Sequence, residues 1–185
     1  MKTLIFSLVL VFAATFAQAQ EITQLEEAKV GFAPLEADIF EDDDSFTYTV
    51  NEAYSGEFVD DPIAFMKANF DIQSFIEIYE DRGFDRYHIT FQNGKGYLKA
   101  EFDDDGEVVK TYQKFTDIVL PLDVRRELYN SNKGWTMVSN KYIASGRGEL
   151  IENETYKIKL ENGKSKRNIK LDPRSVARTS VASNN

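Results

Sequence analysis

Two Asn-Gly pairs, each set between runs of alternating apolar and polar residues, constrain this chain more than any other feature. In Gln92-Asn93-Gly94-Lys95 and Glu161-Asn162-Gly163-Lys164, Asn followed by Gly supplies the two positive-φ positions that a two-residue hairpin turn requires. Ahead of the first turn Tyr87, Ile89 and Phe91 alternate with Arg86, His88 and Thr90; beyond it Leu98, Ala100 and Phe102 alternate with Tyr97, Lys99 and Glu101. Ahead of the second, Tyr156, Ile158 and Leu160 alternate with Lys157 and Lys159, and the chain returns through Ile169 and Leu171. A side-chain period of two is that of a strand with one buried and one wet face. Asp103-Asp104-Asp105-Gly106 turns the chain into a third strand, Val108 to Phe115, which completes an antiparallel meander. Trp135 to Ala144 reads as a strand headed by a buried Trp135, and Ser145 to Gly148 as a glycine-bearing loop.

The remaining periodicity is helical. Asp61 can cap a helix that Pro62 opens, since proline's missing N–H is not needed there. Ile63, Met66 and Phe70 follow at helical spacing, then Ile72, Phe75, Ile76 and Tyr79 in a shifted phase. The shift predicts one kinked helix or two short ones, ending at Gly83. Leu120-Pro121-Leu122-Asp123 starts another short helix, which ends near Lys133-Gly134. The order helix, three strands, helix, three strands predicts an α+β fold, an antiparallel β-sheet with helices packed on one face.

The two ends differ. Lys2 precedes an apolar and small-residue run to Phe16, and Ala17-Gln18-Ala19 has the small residues that signal peptidase reads. This is the pattern of a cleaved signal peptide at residues 1–19. Its apolar run falls short of the roughly 20 residues of a membrane-spanning helix. Export to the periplasm or beyond the cell is the expectation, without a transmembrane anchor. The chain has no cysteine, so lipid attachment at the cleavage point, disulfides, thiol catalysis and thiolate metal sites are all excluded.

Charge divides the exported part. Gln20 to Ser145 holds 12 Lys and Arg against 26 Asp and Glu, whereas Gly146 to Asn185 holds 9 against 5. An acidic chain of this kind lacks the basic footprint of a nucleic-acid binder. The asymmetry implies that the two ends attract each other or that one meets a partner. Residues 20–60 read as an acidic N-terminal extension. The run Glu36 to Asp44 is solvated coil, and Phe46 to Val50 a short strand beyond it. Residues 61–172 make the α+β domain and 173–185 a disordered tail.

The strand Tyr87-His88-Ile89-Thr90-Phe91, the hairpin Gly94-Lys95-Gly96 and Asp103 to Gly106 with Val108-Val109 recur in a known order. The spacing continues through Phe115, Leu120-Pro121, Gly134-Trp135 and the strand from Tyr156 to Leu160. Over residues 84–171 the chain resembles the PepSY-like, beta-lactamase-inhibitor-like family of exported bacterial proteins. The resemblance implies an α+β fold whose sheet binds another protein, and no enzyme activity. The inhibitory members have cysteines that this chain lacks, so inhibition of a beta-lactamase is not carried over.

No residue set points to a cofactor. His88 is the only histidine and stands on a wet strand face without the partners of a triad or a metal site. If Asp103 and Asp105 took the third and fifth positions of a calcium loop, Tyr112 would fall where a bidentate Glu is needed, so a turn explains them. Gly94-Lys95-Gly96 lacks the helix start of a phosphate loop. Asn153-Glu154-Thr155 fits a glycosylation sequon, which a bacterial exported protein would not use. One constellation remains. With the apolar residues inward, Arg86, His88, Tyr97, Lys99, Lys157, Lys159, Lys166 and Lys170 point outward together. Lys110, Tyr112 and Lys114 join them if Val109 faces in. Such residues also guard sheets against aggregation. They predict a non-catalytic envelope module binding a protein or acidic polymer through an open sheet face. In the alternative, the acidic extension covers that face. A hydrolase with an unrecognised carboxylate site ranks last.

Overall fold

The computed structural model describes residues 35–42 and 45–175. The expected signal peptide, residues 20–34 of the expected extension and residues 176–185 of the tail lie outside the described residues. Among the described residues, eight strands form one sheet whose spatial order follows the sequence: β1 (Leu35–Asp42), β2 (Ser45–Val50), β3 (Arg86–Asn93), β4 (Gly96–Asp103), β5 (Val108–Thr116), β6 (Thr136–Arg147), β7 (Leu150–Asn162) and β8 (Ser165–Leu171). Neighbours are antiparallel except β2 and β3, which run parallel. A parallel pair needs a crossover, and α1 (Ser55–Asp60), α2 (Pro62–Asn69) and α3 (Ile72–Tyr79) supply it. The remaining helix, α4 (Leu122–Ser131), joins β5 to β6. The architecture is α+β, a mostly antiparallel sheet with helices alongside it.

Local chemistry explains the elements. The two hairpin loops are Gly94-Lys95 and Gly163-Lys164, one residue beyond the expected Asn-Gly positions, and of the two Asn-Gly pairs only Gly163 has positive φ. At the β3–β4 turn Asn93 instead acts through its side chain, Oδ1 accepting the amides of Lys95 and Gly96 at 2.9 and 3.0 Å. Asp61 Oδ1 accepts the Ala64 amide at 3.0 Å and so caps α2, with Pro62 as its first residue. Asp71 caps α3 by accepting the amides of Gln73 and Ser74. The Ser74 hydroxyl and amide also hold its carboxyl below the usual range. Phe70 is extended between α2 and α3, which settles the phase shift as two helices rather than one kinked helix. Gly83, at φ 64°, ends the 3-10 turn that follows α3.

Four expectations need correction. The domain does not open at Asp61: Phe46, Val50 and Phe58 are buried in its core, and β1 and β2 extend its sheet. Acidic sequence hid this because β1 is an edge strand, where charge is best tolerated. Residues 35–42 and 45–60 therefore build the sheet edge and part of the helical layer instead of coil or a cover over the outer face, and residues 43–44 of the expected coil lie outside the described residues. Ser145 to Gly148 is not a loop; β6 and β7 run on to a tight turn at Gly148. The chain beyond Asp172 remains tied down through Ser175, because Asp172 accepts the Arg174 amide and Arg174 pairs with Glu154 at 3.7 Å. Trp135 is only half-buried, with the Arg167 guanidinium 4.2 Å from its ring centre.

The core lies between the inner sheet face and the helices, in two clusters. Phe46, Phe58, Met66, Phe75, Ile89, Phe91, Leu98 and Phe115 build the larger one, under α1 to α3. Val124 and Leu128 of α4 pack on Tyr156, Ile158 and Leu160 in the smaller one. Ile118 and Tyr142 touch both. One flaw stands out: the Thr111 hydroxyl is buried without a hydrogen-bond partner. An unsatisfied buried hydroxyl costs about 1–3 kcal/mol, and a valine of the same shape removes it. Thr111→Val is therefore expected to raise the urea midpoint by an amount equivalent to about 1 kcal/mol.

Candidate functional site

Register decides which side chains share the outer face. Across β3, β4 and β5, Thr90 stands opposite Lys99 and Lys99 opposite Tyr112; one row over, Tyr97 stands opposite Lys114, and on the other side Glu101 stands opposite Lys110. Arg86 and His88 alternate with buried Tyr87 and Ile89 on β3. On β7 and β8, Lys157 faces Lys170 and Glu161 faces Lys166, while Lys159 faces Asn168. All eight residues expected on this face are there, on the side opposite the helices.

A β-bulge settles the open phase of β5. Phe102 pairs with Val108 and Glu101 with Lys110, so Val109 is the extra residue. Val108 packs on the core, and Lys110, Tyr112 and Lys114 point outward although Val109 is not the inward residue. Lys141 completes the face. It stands directly between Thr116 of β5 and Lys157 of β7. Sequence alternation missed it because adjacent Tyr142 and Ile143 leave the phase of β6 undecided.

The face falls into two halves with different electrostatics. On β3 to β5 the cations have acids: Arg86 lies 3.9 Å from Glu101 and 4.0 Å from Asp103, and Lys110 lies 3.5 Å from Glu101. Lys99 and Lys114 hold their ammonium groups 5.6 and 6.0 Å from the centre of the Tyr97 ring. On β6 to β8, Glu161 serves Lys166 at 3.4 Å and Lys159 at 4.0 Å. Lys141, Lys157 and Lys170 form an unbroken row across three strands, and none of them makes an ion pair among the described residues. Like charges placed directly opposite destabilise a sheet. Thr116, Ser139, Asn168 and Lys159 surround the row, which lies in a shallow depression of about 470 Å³ that has one acid, Asp117, in its lining. The Asp103 to Gly106 segment is the β4–β5 turn, in which Asp103 Oδ1 accepts the Glu107 amide at 2.8 Å.

A second concavity, about 870 Å³, opens on the helix side where the two core clusters meet. Gln113 and Tyr156 lie among its walls, and both are buried. Beside them the Tyr142 hydroxyl donates to Glu154 at 3.2 Å. Burial, with Glu154 adding to it, pushes the Tyr142 phenol above its ordinary range and that of Tyr156 up to about 12, so both stay neutral hydrogen donors. Sequence reasoning missed Gln113; its shared phase with Thr111 and inward Phe115 on β5 is the signal that could have placed it on this side. Among the described residues no helix is long and apolar enough to cross a membrane. Compared with known proteins, the chain matches no family model, no curated protein and no solved structure.

Proposed function

We propose that this chain is an exported, non-catalytic binding module of the cell envelope that takes an acidic protein or polymer on its outer sheet face. The carrying observation is the row Lys141–Lys157–Lys170, three lysines paired across β6 to β8 without an ion pair among the described residues, in a chain of net charge −9. Folding gains nothing from that row, and a polyanion crossing β6 to β8 would relieve its repulsion. Export rests on Lys2, the apolar run and Ala17-Gln18-Ala19. The resemblance of residues 84–171 to the PepSY-like, beta-lactamase-inhibitor-like family supports the same reading.

Retention on immobilised poly-L-glutamate at graded sodium chloride tests it. Wild type is retained at low salt and released as screening rises. Replacing Lys141, Lys157 and Lys170 together by Gln is expected to weaken binding at least tenfold. The same variant should melt higher, because relieving each facing pair is worth roughly 0.2–1 kcal/mol. Retention that ignores both salt and the triple replacement would sink the proposal.

A further inference from the structure

The helix-side concavity has two features that a mere packing gap lacks. First, it holds polar groups without protein partners. Gln113 is 3% exposed and Tyr156 5% exposed, both line it, and neither side chain makes a hydrogen bond among the described residues. Their polar atoms are not sealed in the core as the Thr111 hydroxyl is, so they are left for water or a ligand to satisfy. Second, much of its wall is apolar, including Val59, Ile63, Ile118 and Ile151. Apolar walls with a few convergent polar groups, at a volume near the top of the roughly 300–1,000 Å³ typical of such sites, describe a small-molecule pocket.

Charge narrows the occupant. The mouth carries Asp60, Asp61, Asp117 and Glu149 against Lys67 and Lys95, and Lys67 is already bound to Glu149 at 2.7 Å. An anion meets net repulsion there. Inside, the one nearby carboxylate, Glu154, is engaged by Arg174 at 3.7 Å and by the Tyr142 hydroxyl. A cation would meet counter-charge only at the exposed carboxylates Asp60, Asp61 and Asp117 of the mouth, and burying it without one is heavily penalised. The groups awaiting partners are both uncharged.

We propose that the cleft between α1, α2 and β5 to β7 binds a small uncharged amphiphile, its apolar body against Val59, Ile63 and Ile151 and its amide or hydroxyl head on Gln113 and Tyr156. The site is separate from the outer lysine face, so either can fail without the other. The Gln113 carboxamide donates to and accepts from the head, and the Tyr156 hydroxyl supplies the further donor. The ligand completes a hydrogen-bond set that the chain leaves open.

Nile red, an uncharged apolar dye, reports occupancy of the full chain. Octanamide is expected to displace it saturably with one site per chain, and octanoate and octylammonium at pH 8 to bind at least tenfold more weakly. Gln113→Leu should weaken octanamide about tenfold while dye binding persists, since the site then lacks the head's partner. That variant also exchanges an unpartnered polar group for an apolar one, so it folds and melts no lower than wild type. Val59→Trp, which fills the apolar part, should abolish binding of both dye and amide. Absence of saturable displacement, octanoate binding as tightly as octanamide, or an unchanged octanamide affinity in Gln113→Leu would each overturn the assignment.

Discussion

Phe46→Ala is expected to destabilise the domain by about 3–5 kcal/mol, the range for truncating a fully buried phenylalanine. Phe46 is 1% exposed and stands beside Ile89 on the neighbouring strand. Its ring centre lies 4.7 Å from those of both Phe75 and Tyr79, edge-on to the former at 85°. Offset and edge-to-face aromatic pairs add roughly 0.5–1.5 kcal/mol to the value of burial alone. Removing this ring leaves a cavity where β2, β3 and α3 meet, and large rigid neighbours cannot close it. The measurement is a urea unfolding curve followed by Trp135 fluorescence. An unchanged midpoint would mean that residues up to 60 are an appendage after all, and the boundary at Asp61 would stand.

Gly146→Ala carries the second large effect, and here the demand is for space. Gly146 of β6 sits beside a bulge in β7, where Glu152 is the extra residue, and stands opposite Thr111 on one side and Ile151 on the other. A Cβ at this position would lie 1.8 Å from the carbonyl oxygen of Leu150 and 2.7 Å from its carbon. Both are backbone atoms, so no rotamer change relieves the overlap and β6 must part from β7 at that end. Overpacking costs typically 1–3 kcal/mol, and more when backbone is displaced. A loss of about 3 kcal/mol is expected, with faster amide exchange concentrated at the β6–β7 turn. A melting curve that matches wild type would show that the two strands are not held at this separation.

Alternation and turn chemistry made the strands β3 to β8 readable in order, because each pairs with the strand next to it in sequence and each hairpin is locally encoded. Asn93 and Asp103 announce their turns by side-chain bonds to amides a few residues away, which sequence shows directly. What remained hidden was non-local. Phe46, Tyr48 and Val50 have the right alternation, but nothing near them states that their partner is β3, beyond three helices. The outer face was legible for the same reason as the strands, since inward apolar residues fix the direction of their neighbours. That rule gives no answer where two apolar residues are adjacent, as at Val108-Val109 and Tyr142-Ile143. Gln113 was not singled out in the sequence, because polarity ordinarily reports exposure. The pocket arises from an exception to that rule.

The sheet's strand order also gives its assembly a direction in time. Pairings between consecutive strands close short loops, so the meander from β3 to β8 can zip from any of its turns at low entropic expense. The β2–β3 pairing is different: Ser45 meets His88 across α1, α2 and α3. A chain made from its N-terminus presents the β1–β2 hairpin long before its template edge on β3 exists. During that interval Phe46, Tyr48 and Val50 are exposed on a strand with nothing to join. The acidic run from Glu36 to Asp44 keeps waiting copies apart by mutual repulsion, so the charge that disguised this segment as coil would serve it best before the domain has formed.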